Sequence, residues 1–498
     1  MRAPLFLSAL LVISTASATA AIRAGFAERD ITPGIGMERP GGYGKQHHAE
    51  FHDPCKVRVA VFNDGAHKVA LIGLDTLIVP RSVVLDARRQ IEATCGIPAD
   101  AVLIGASHSH SSGPVGMVQP GEYDAASDLV KELAYVESSC ADPGFLLHLT
   151  RQIVEAVTLA DKRGVPAQLG FGSGTEDKVS FNRRLRMKNG LSFSHPRPGN
   201  PEMLEYAGPI DPEVGVIGAW NENGDLLGTV VNFACHATTN PRGISANWIC
   251  YLEEVIQGAT GAKVPVVFLQ GACGDITQVD NLTPYRQPAG EDSARLVGGR
   301  VGAEAVRVLL SMTRSAEVTV DKRQKTFTIP RRKPSAERLQ HCKDLVAAGK
   351  PKGDTTDWTF AKEILMLDHL IAVEPDVEVE VQAIQIGPAV FVTNPAEYFV
   401  QLGLDIKNGS PFPFTYPVEL ANGCVGYVPT EEAFGPNGGG YETRLSAYSN
   451  LIITAGSTFR DVGIELTQTM TPGEVPVPQK IPPFSGAWRY GNVPPQVE

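Results

Sequence analysis

The stretch Ala101-Val102-Leu103-Ile104-Gly105-Ala106-Ser107-His108-Ser109-His110-Ser111-Ser112-Gly113-Pro114 sets the reading of the whole 498-residue chain. Its apolar start is too short for a buried helix and fits a strand covered on both faces, the kind found in α/β sheets. The strand then delivers two histidines at i and i+2. In an extended chain those side chains share a face, so His108 and His110 can approach one metal ion, or one can bind while the other serves the reaction. With 11 histidines in the chain, such a pair arises by chance in roughly one sequence in four, and it gains weight only from what surrounds it.

On the N-terminal side, Val57-Arg58-Val59-Ala60-Val61-Phe62 alternates like a strand. Asn63-Asp64-Gly65 is a hairpin turn, Lys68 to Leu74 is its returning partner, and a helix is expected near Val83 to Cys95. Residues 113 to 144, rich in Gly, Pro, Asp and Ser with a short helix at Asp128 to Ala134, read as a long surface insertion. Helices are predicted at Phe145 to Lys162 and Ser293 to Ser311, and over most of Ser335 to Ile371 with a break at Gly349-Lys350-Pro351. Strands are predicted at Gln168 to Gly172, Val214 to Trp220, Leu226 to Phe233 and Val264 to Gln270, with a hairpin over Val377 to Val392. The fold class is therefore α/β, mixed sheets flanked by helices in one large catalytic domain over 21–471. Seven prolines from Pro472 onward make 472–498 an extended tail.

Composition narrows the function. At 43% hydrophobic and 20% charged the chain is globular, and its formal charge of −11 without a long basic cluster disfavours a nucleic-acid partner. Arg2, the apolar run Leu5 to Ile13 and Ala18-Thr19-Ala20 have the order of a signal peptide over 1–20, cleaved before Ala21. No later segment has the roughly 18 uninterrupted apolar residues of a transmembrane helix. The expected location is secreted or periplasmic. The eight cysteines include no C-x-x-C, so neither a zinc ribbon nor a thioredoxin-type site is supported.

Three further groups carry chemistry. His236 ends the predicted strand in Asn232-Phe233-Ala234-Cys235-His236; alone, such a histidine is ordinarily a satisfied core residue. Gln270-Gly271-Ala272-Cys273-Gly274-Asp275-Ile276-Thr277 runs from a strand into a glycine turn with an acid and a hydroxyl, a pattern that a simple Asx-capped turn also produces. In Asn394-Pro395-Ala396-Glu397 an acid follows a strand and opens an expected helix.

Together these groups resemble the catalytic domain of the neutral/alkaline non-lysosomal ceramidase family, over residues 24 to 470. The resemblance starts at Glu28-Arg29-Asp30-Ile31-Thr32-Pro33 and passes through Gly41-Gly42-Tyr43-Gly44, His52-Asp53-Pro54, Leu74-Asp75 and Ser107-His108-Ser109-His110. It continues at Asn182-Arg183, Asp211-Pro212-Glu213, His236, Gly271-Ala272-Cys273-Gly274-Asp275 and Pro395-Ala396-Glu397, in the order of the family's motifs. It does not extend to the family's smaller C-terminal β-sandwich, and Thr277 stands where ceramidases carry a serine.

The resemblance implies a zinc ion held by His108, His236, Glu397 and Tyr441. It implies hydrolysis of an N-acylsphingosine-like amide by a zinc-activated water, a place in sphingolipid metabolism, and transient contact with a membrane surface. His110 and Arg183 would contact substrate or the developing oxyanion, Asp275 and Asp75 would orient the metal ligands, and Thr277 would occupy the serine's place. Two alternatives stay open: a zinc hydrolase of the same fold acting on a carbohydrate or another polar amide or ester, and a non-catalytic zinc-stabilised extracellular binding protein. In the first, residues 113–144 and 184–210 would build a polar pocket.

Overall fold

A computed structural model describes residues 21–483, 490, 491 and 493–498; the signal peptide expected over 1–20 lies outside the described residues. The main sheet has nine strands. Eight run in order from Val266–Gln270 through Leu226–Phe233, Glu213–Asn221, Val165–Thr175, Arg23–Asp30, Lys56–Asn63 and Lys68–Leu74 to Val102–Ala106, and Arg314–Ser315 pairs with Val165–Thr175. The pairs at the two ends of this path are parallel and the pairs between them antiparallel. The strand Val102–Ala106 is buried along its whole length, as an uninterrupted apolar run demands.

The sheet curls until Val266–Gln270 packs on Lys68–Leu74. Gly73 permits this approach, since a Cβ there would stand 2.3 Å from the Phe268 carbonyl oxygen. The two end strands thus discharge their following loops on the same side of the molecule. A second sheet, of Val320–Pro330, Asp376–Ile386, Ala389–Thr393 and Phe414–Val418 in that order, brings a third and a fourth loop there. Residues 419–422 stitch the sheets together: Glu419 donates its N–H to Gln270 O at 3.0 Å, and Asn422 donates to Ile104 O at 2.8 Å.

Residues 113–144 differ from the expected surface insertion. Val118, Tyr123, Leu133 and Ala134 form a hydrophobic cluster with Trp358, Ile364 and Leu367 of the helix Thr356–Val373. The Gly, Pro and Ser content that reads as surface loop here supplies tight turns inside a small core of its own. Residues 472–483 carry neither helix nor strand. Among the described residues no helix is long and apolar enough to cross a membrane, and all eight cysteines are free.

Beneath the loops, Arg58 is buried with Asp75 at 2.6 Å and Glu253 at 2.7 Å. Burial pushes the Asp75 carboxyl up to about 6 although the Arg58 guanidinium pulls it down. Arg58→Ala leaves two buried carboxylates without their shared cation and is expected to cost about 3–5 kcal/mol of stability, read from the denaturant midpoint. An unchanged midpoint would show that this network contributes nothing to the fold.

Candidate metal centre and active site

His108 lies two residues beyond Val102–Ala106, His236 three residues beyond Leu226–Phe233, and Glu397 four residues beyond Ala389–Thr393. All three are buried. His108 Nδ1 pairs with Leu77 O at 2.9 Å and His236 Nδ1 with Cys273 O at 2.8 Å. A carbonyl only accepts, so each Nδ1 carries the proton and each Nε2 presents a lone pair. Both Nε2 atoms lie 3.2 Å from Glu397 Oε2, a buried oxygen with no hydrogen-bond donor. Two ligands about 2.1 Å from one ion at a tetrahedral angle stand roughly 3.4 Å apart, so Glu397 Oε2 lies near ligand spacing from both imidazoles. His110 Nε2 joins them at 3.1 Å from His108 Nε2. The ligand atoms of His108, His110 and His236 all fall within 4.8 Å of one another.

The electrostatics match at Glu397 and His236. Burial alone would raise the Glu397 carboxyl, yet the imidazoles of His108 and His236 hold it well below the usual carboxylate range. Burial, Arg183 and His108 depress His236 to about 3, and burial with the two neighbouring imidazoles keeps His110 well below its ordinary value. Burial lowers His108 too, but the Glu397 carboxylate outweighs it and raises this imidazole above its ordinary value, so a metal at His108 Nε2 would displace a proton, whereas neutral His236 and ionised Glu397 already have the protonation states a metal needs.

Arg183 is buried and donates from Nη1 to His236 Nε2 at 3.0 Å, from Nη2 to Gly274 O at 2.6 Å, and from Nε to Glu442 Oε1 at 2.8 Å. Its guanidinium carbon sits 5.4 and 5.1 Å from the rings of Tyr427 and Tyr441. Tyr441 lines the cavity over the histidines, its hydroxyl paired with Tyr427 at 3.2 Å. The cavity measures about 200 Å³, with Leu77, Met117 and Tyr448 among its other walls.

Three expected participants point elsewhere. Asp275 accepts from Asn182 Nδ2 and the Val400 N–H, both at 2.8 Å, and its own carbonyl accepts the Arg183 N–H. It positions Arg183 from outside the cavity. Thr277 belongs to a two-residue strand paired with Phe181–Asn182, and its hydroxyl approaches Gln278 Oε1 at 3.4 Å. Asp75 stays in the Arg58 network. Residues 184–210 form a small three-stranded sheet that braces the Tyr441 loop, with Ser192 donating to Gly438 O and Arg184 Nε to Gly439 O.

Two local expectations are corrected. The H-x-H is not extended: His108 has φ of 61°, a turn conformation, and its ring is held by Leu77. Glu397 does not open a helix but forms, with Tyr398, a two-residue strand beside Tyr427–Val428; the helix begins at Val400. Pairing with the 427 loop overrides the local helix signal.

Three contributors went unread in the sequence. Tyr448 donates to Glu397 Oε1 at 2.7 Å. Glu442 anchors Arg183. Glu419 accepts the N–H groups of Cys273 and Tyr398 at 2.8 Å each, clamping the glycine turn whose Cys273 carbonyl holds His236 to the Glu397 loop. Glu419 follows the apolar run Phe414–Val418 as Glu397 follows Ala389–Thr393, so the same acid-after-strand signal was there to find it.

Gly41 packs on His110 with φ of 107°, and a Cβ there would lie 2.3 Å from His110 Nδ1. Gly41→Ala is expected to displace the ring and lower kcat by about 10²-fold, the usual effect of a misplacement near 1 Å, with metal content unchanged. Unaltered kcat would remove His110 from the reaction.

Two histidines and a carboxylate, converging at strand ends in a mixed α/β protein beneath a cavity, define a protein with a candidate metal site. Its counterpart among solved structures is neutral ceramidase: the crystal structure from Pseudomonas aeruginosa superposes with a TM-score of 0.63 at 17% identity, covering 92% of this chain and 77% of that one. A ceramidase solved in complex with C2 superposes equally well, at 18% identity over 93% of this chain and 77% of the other. In sequence, the chain is 26% identical over 220 residues to the neutral ceramidase of Pseudomonas aeruginosa, which is 42% of this chain but only 29% of that relative's length. No protein-family model matches the chain. The chain is neutral ceramidase-like.

Proposed function

We propose that the protein is an exported zinc-dependent amidohydrolase cleaving an N-acyl amide, as the neutral ceramidase likeness suggests. One observation carries this reading: His108 Nε2, His236 Nε2 and the donorless Glu397 Oε2 stand at the spacing of ligands to one ion, beneath a cavity. A nitrogen and carboxylate donor set suits zinc, with Tyr441 at the cavity wall as the fourth candidate ligand. Zinc, when bound, lowers the pKa of water and polarises a carbonyl oxygen.

The chain's own groups supply the rest. His110, neutral and half-buried at the cavity floor, exchanges a proton through Nε2. Arg183 places a fixed positive charge beside His236, where negative charge develops on the attacked carbonyl. Tyr448 holds Glu397, and Tyr427 with Tyr441 keeps bulk water from the cavity wall. The opening of the cluster onto a cavity also argues against a purely structural ion, whose ligand shell would be closed.

Metal-quantified protein assayed against ceramides, N-acyl amino acids and chromogenic glycosides tests the proposal. Hydrolysis of amides, lost on chelation and restored by zinc, is the expected result. Glycoside cleavage without any amide turnover would overturn it.

A further inference from the structure

A cleft of about 510 Å³ opens next to the metal cavity. The two share Met117 and Tyr448 as walls, and a narrow gap lined by Tyr43, Met117, Glu122 and Tyr448 takes residues from both. Tyr448 is the partition: its hydroxyl donates to Glu397 on the cavity side and lies 3.5 Å from Cys424 Sγ on the cleft side. Leu77 faces the cavity and Ile78 the cleft; Tyr427 faces the cavity and Gly426 the cleft. The cleft therefore adjoins the cavity across the Met117–Tyr448 wall, within reach of a group carried on a substrate whose reacting bond lies at the histidines.

The chemistry of the cleft is not that of an alkyl-chain groove. Its charged walls are Arg81, Arg331, Glu122, Glu374, Glu378 and Glu380, two cations against four anions. Both guanidiniums are already paired with carboxylates, Arg81 with Glu380 and Arg331 with Glu374, each at 2.7 Å, although Arg81 Nε has no partner. Glu122, by contrast, accepts only the Gln119 N–H at 2.9 Å. Gln119 spends its amide N–H groups on Val115 O and Gly116 O and leaves Oε1 buried without a partner. An anionic group would meet a wall of net negative charge, and an alkyl chain would bring no donor to the Gln119 and Glu122 acceptors. Hydroxyl donors satisfy both acceptors.

We infer that this cleft is a subsite for a hydroxyl-rich head group on the amide substrate, recognised by Gln119 and Glu122. The inference rests on the amidohydrolase reading for the bond cleaved, but the binding it claims is independent of turnover.

Three probes separate the cases: N-octanoylglucamine, N-octanoylglycine and N-octyloctanamide. Binding is measured by calorimetry on chelator-treated protein, where hydrolysis is silent, and kcat and KM on metal-replete protein. The glucamide is expected to bind about tenfold or more tighter than the other two. Gln119→Leu and Glu122→Leu should each erase most of that preference and raise KM for the glucamide with little change in kcat, leaving N-octyloctanamide unaffected. If one variant fails to fold, the other and the probe series on the native chain decide. Equal or tighter binding of the glycine conjugate or the dialkyl amide overturns the inference, as does a variant that weakens all three alike. A glucamide preference with no probe hydrolysed would uphold the cleft and sink the amidohydrolase reading.

Discussion

His236→Ala and Glu397→Ala are each expected to lose the bound metal and to fall to the uncatalysed rate. The reason is geometric. Glu397 Oε2 stands 3.2 Å from both His108 Nε2 and His236 Nε2, and each group is oriented from behind: His108 by Leu77 O, His236 by Cys273 O, Glu397 by Tyr448. Removing one of so few ligands leaves an incomplete shell, and no other described carboxylate or cysteine stands in the ligand cluster to replace it. Elemental analysis and turnover on the same purified samples check the result, with thermal unfolding showing that the fold survives. A full metal complement in both variants would remove these residues from the centre.

His108→Ala and His110→Ala are expected to part company. The first should lose metal and activity together; the second should keep metal and fold while turnover falls about 10²–10⁴-fold, the usual weight of a positioned proton carrier or oxyanion donor. The difference lies in what holds each ring. His108 is buried and fixed through Nδ1 to Leu77 O, whereas His110 is half-buried, packs on Gly41, and reaches the cluster only through His108 at 3.1 Å. That ring can donate its Nε2 proton to His108 or turn toward substrate. The same 3.1 Å also fits a further ligand, so the measurement discriminates sharply. Metal loss from His110→Ala as complete as from His108→Ala would make His110 a ligand and end its role as proton carrier.

Glu419 shows how far a linear reading reaches. It follows a predicted type of strand end and has the same acid-after-strand signature as Glu397, yet nothing local says that its carboxylate faces two loops from different sheets. Asp275 shows the converse. Its glycine turn was legible, but its side chain points to Asn182 and Val400, away from the cavity.

The sequence by itself determined the strands and helices that carry the site, because apolar periodicity and glycine turns act over a few residues. It also marked His108, His236 and Glu397, each just beyond an apolar run, and through the family resemblance tied them to one metal. Only the tertiary structure decided what they face. The curl of the main sheet at Gly73, the left-handed turn at His108, the pairing of Glu397 with the 427 loop and the acceptor-lined cleft at Gln119 and Glu122 all arise between segments distant in the chain. Contacts of that kind leave no periodic trace in sequence, since they depend on how whole sheets pack and not on the preference of any residue for its neighbours.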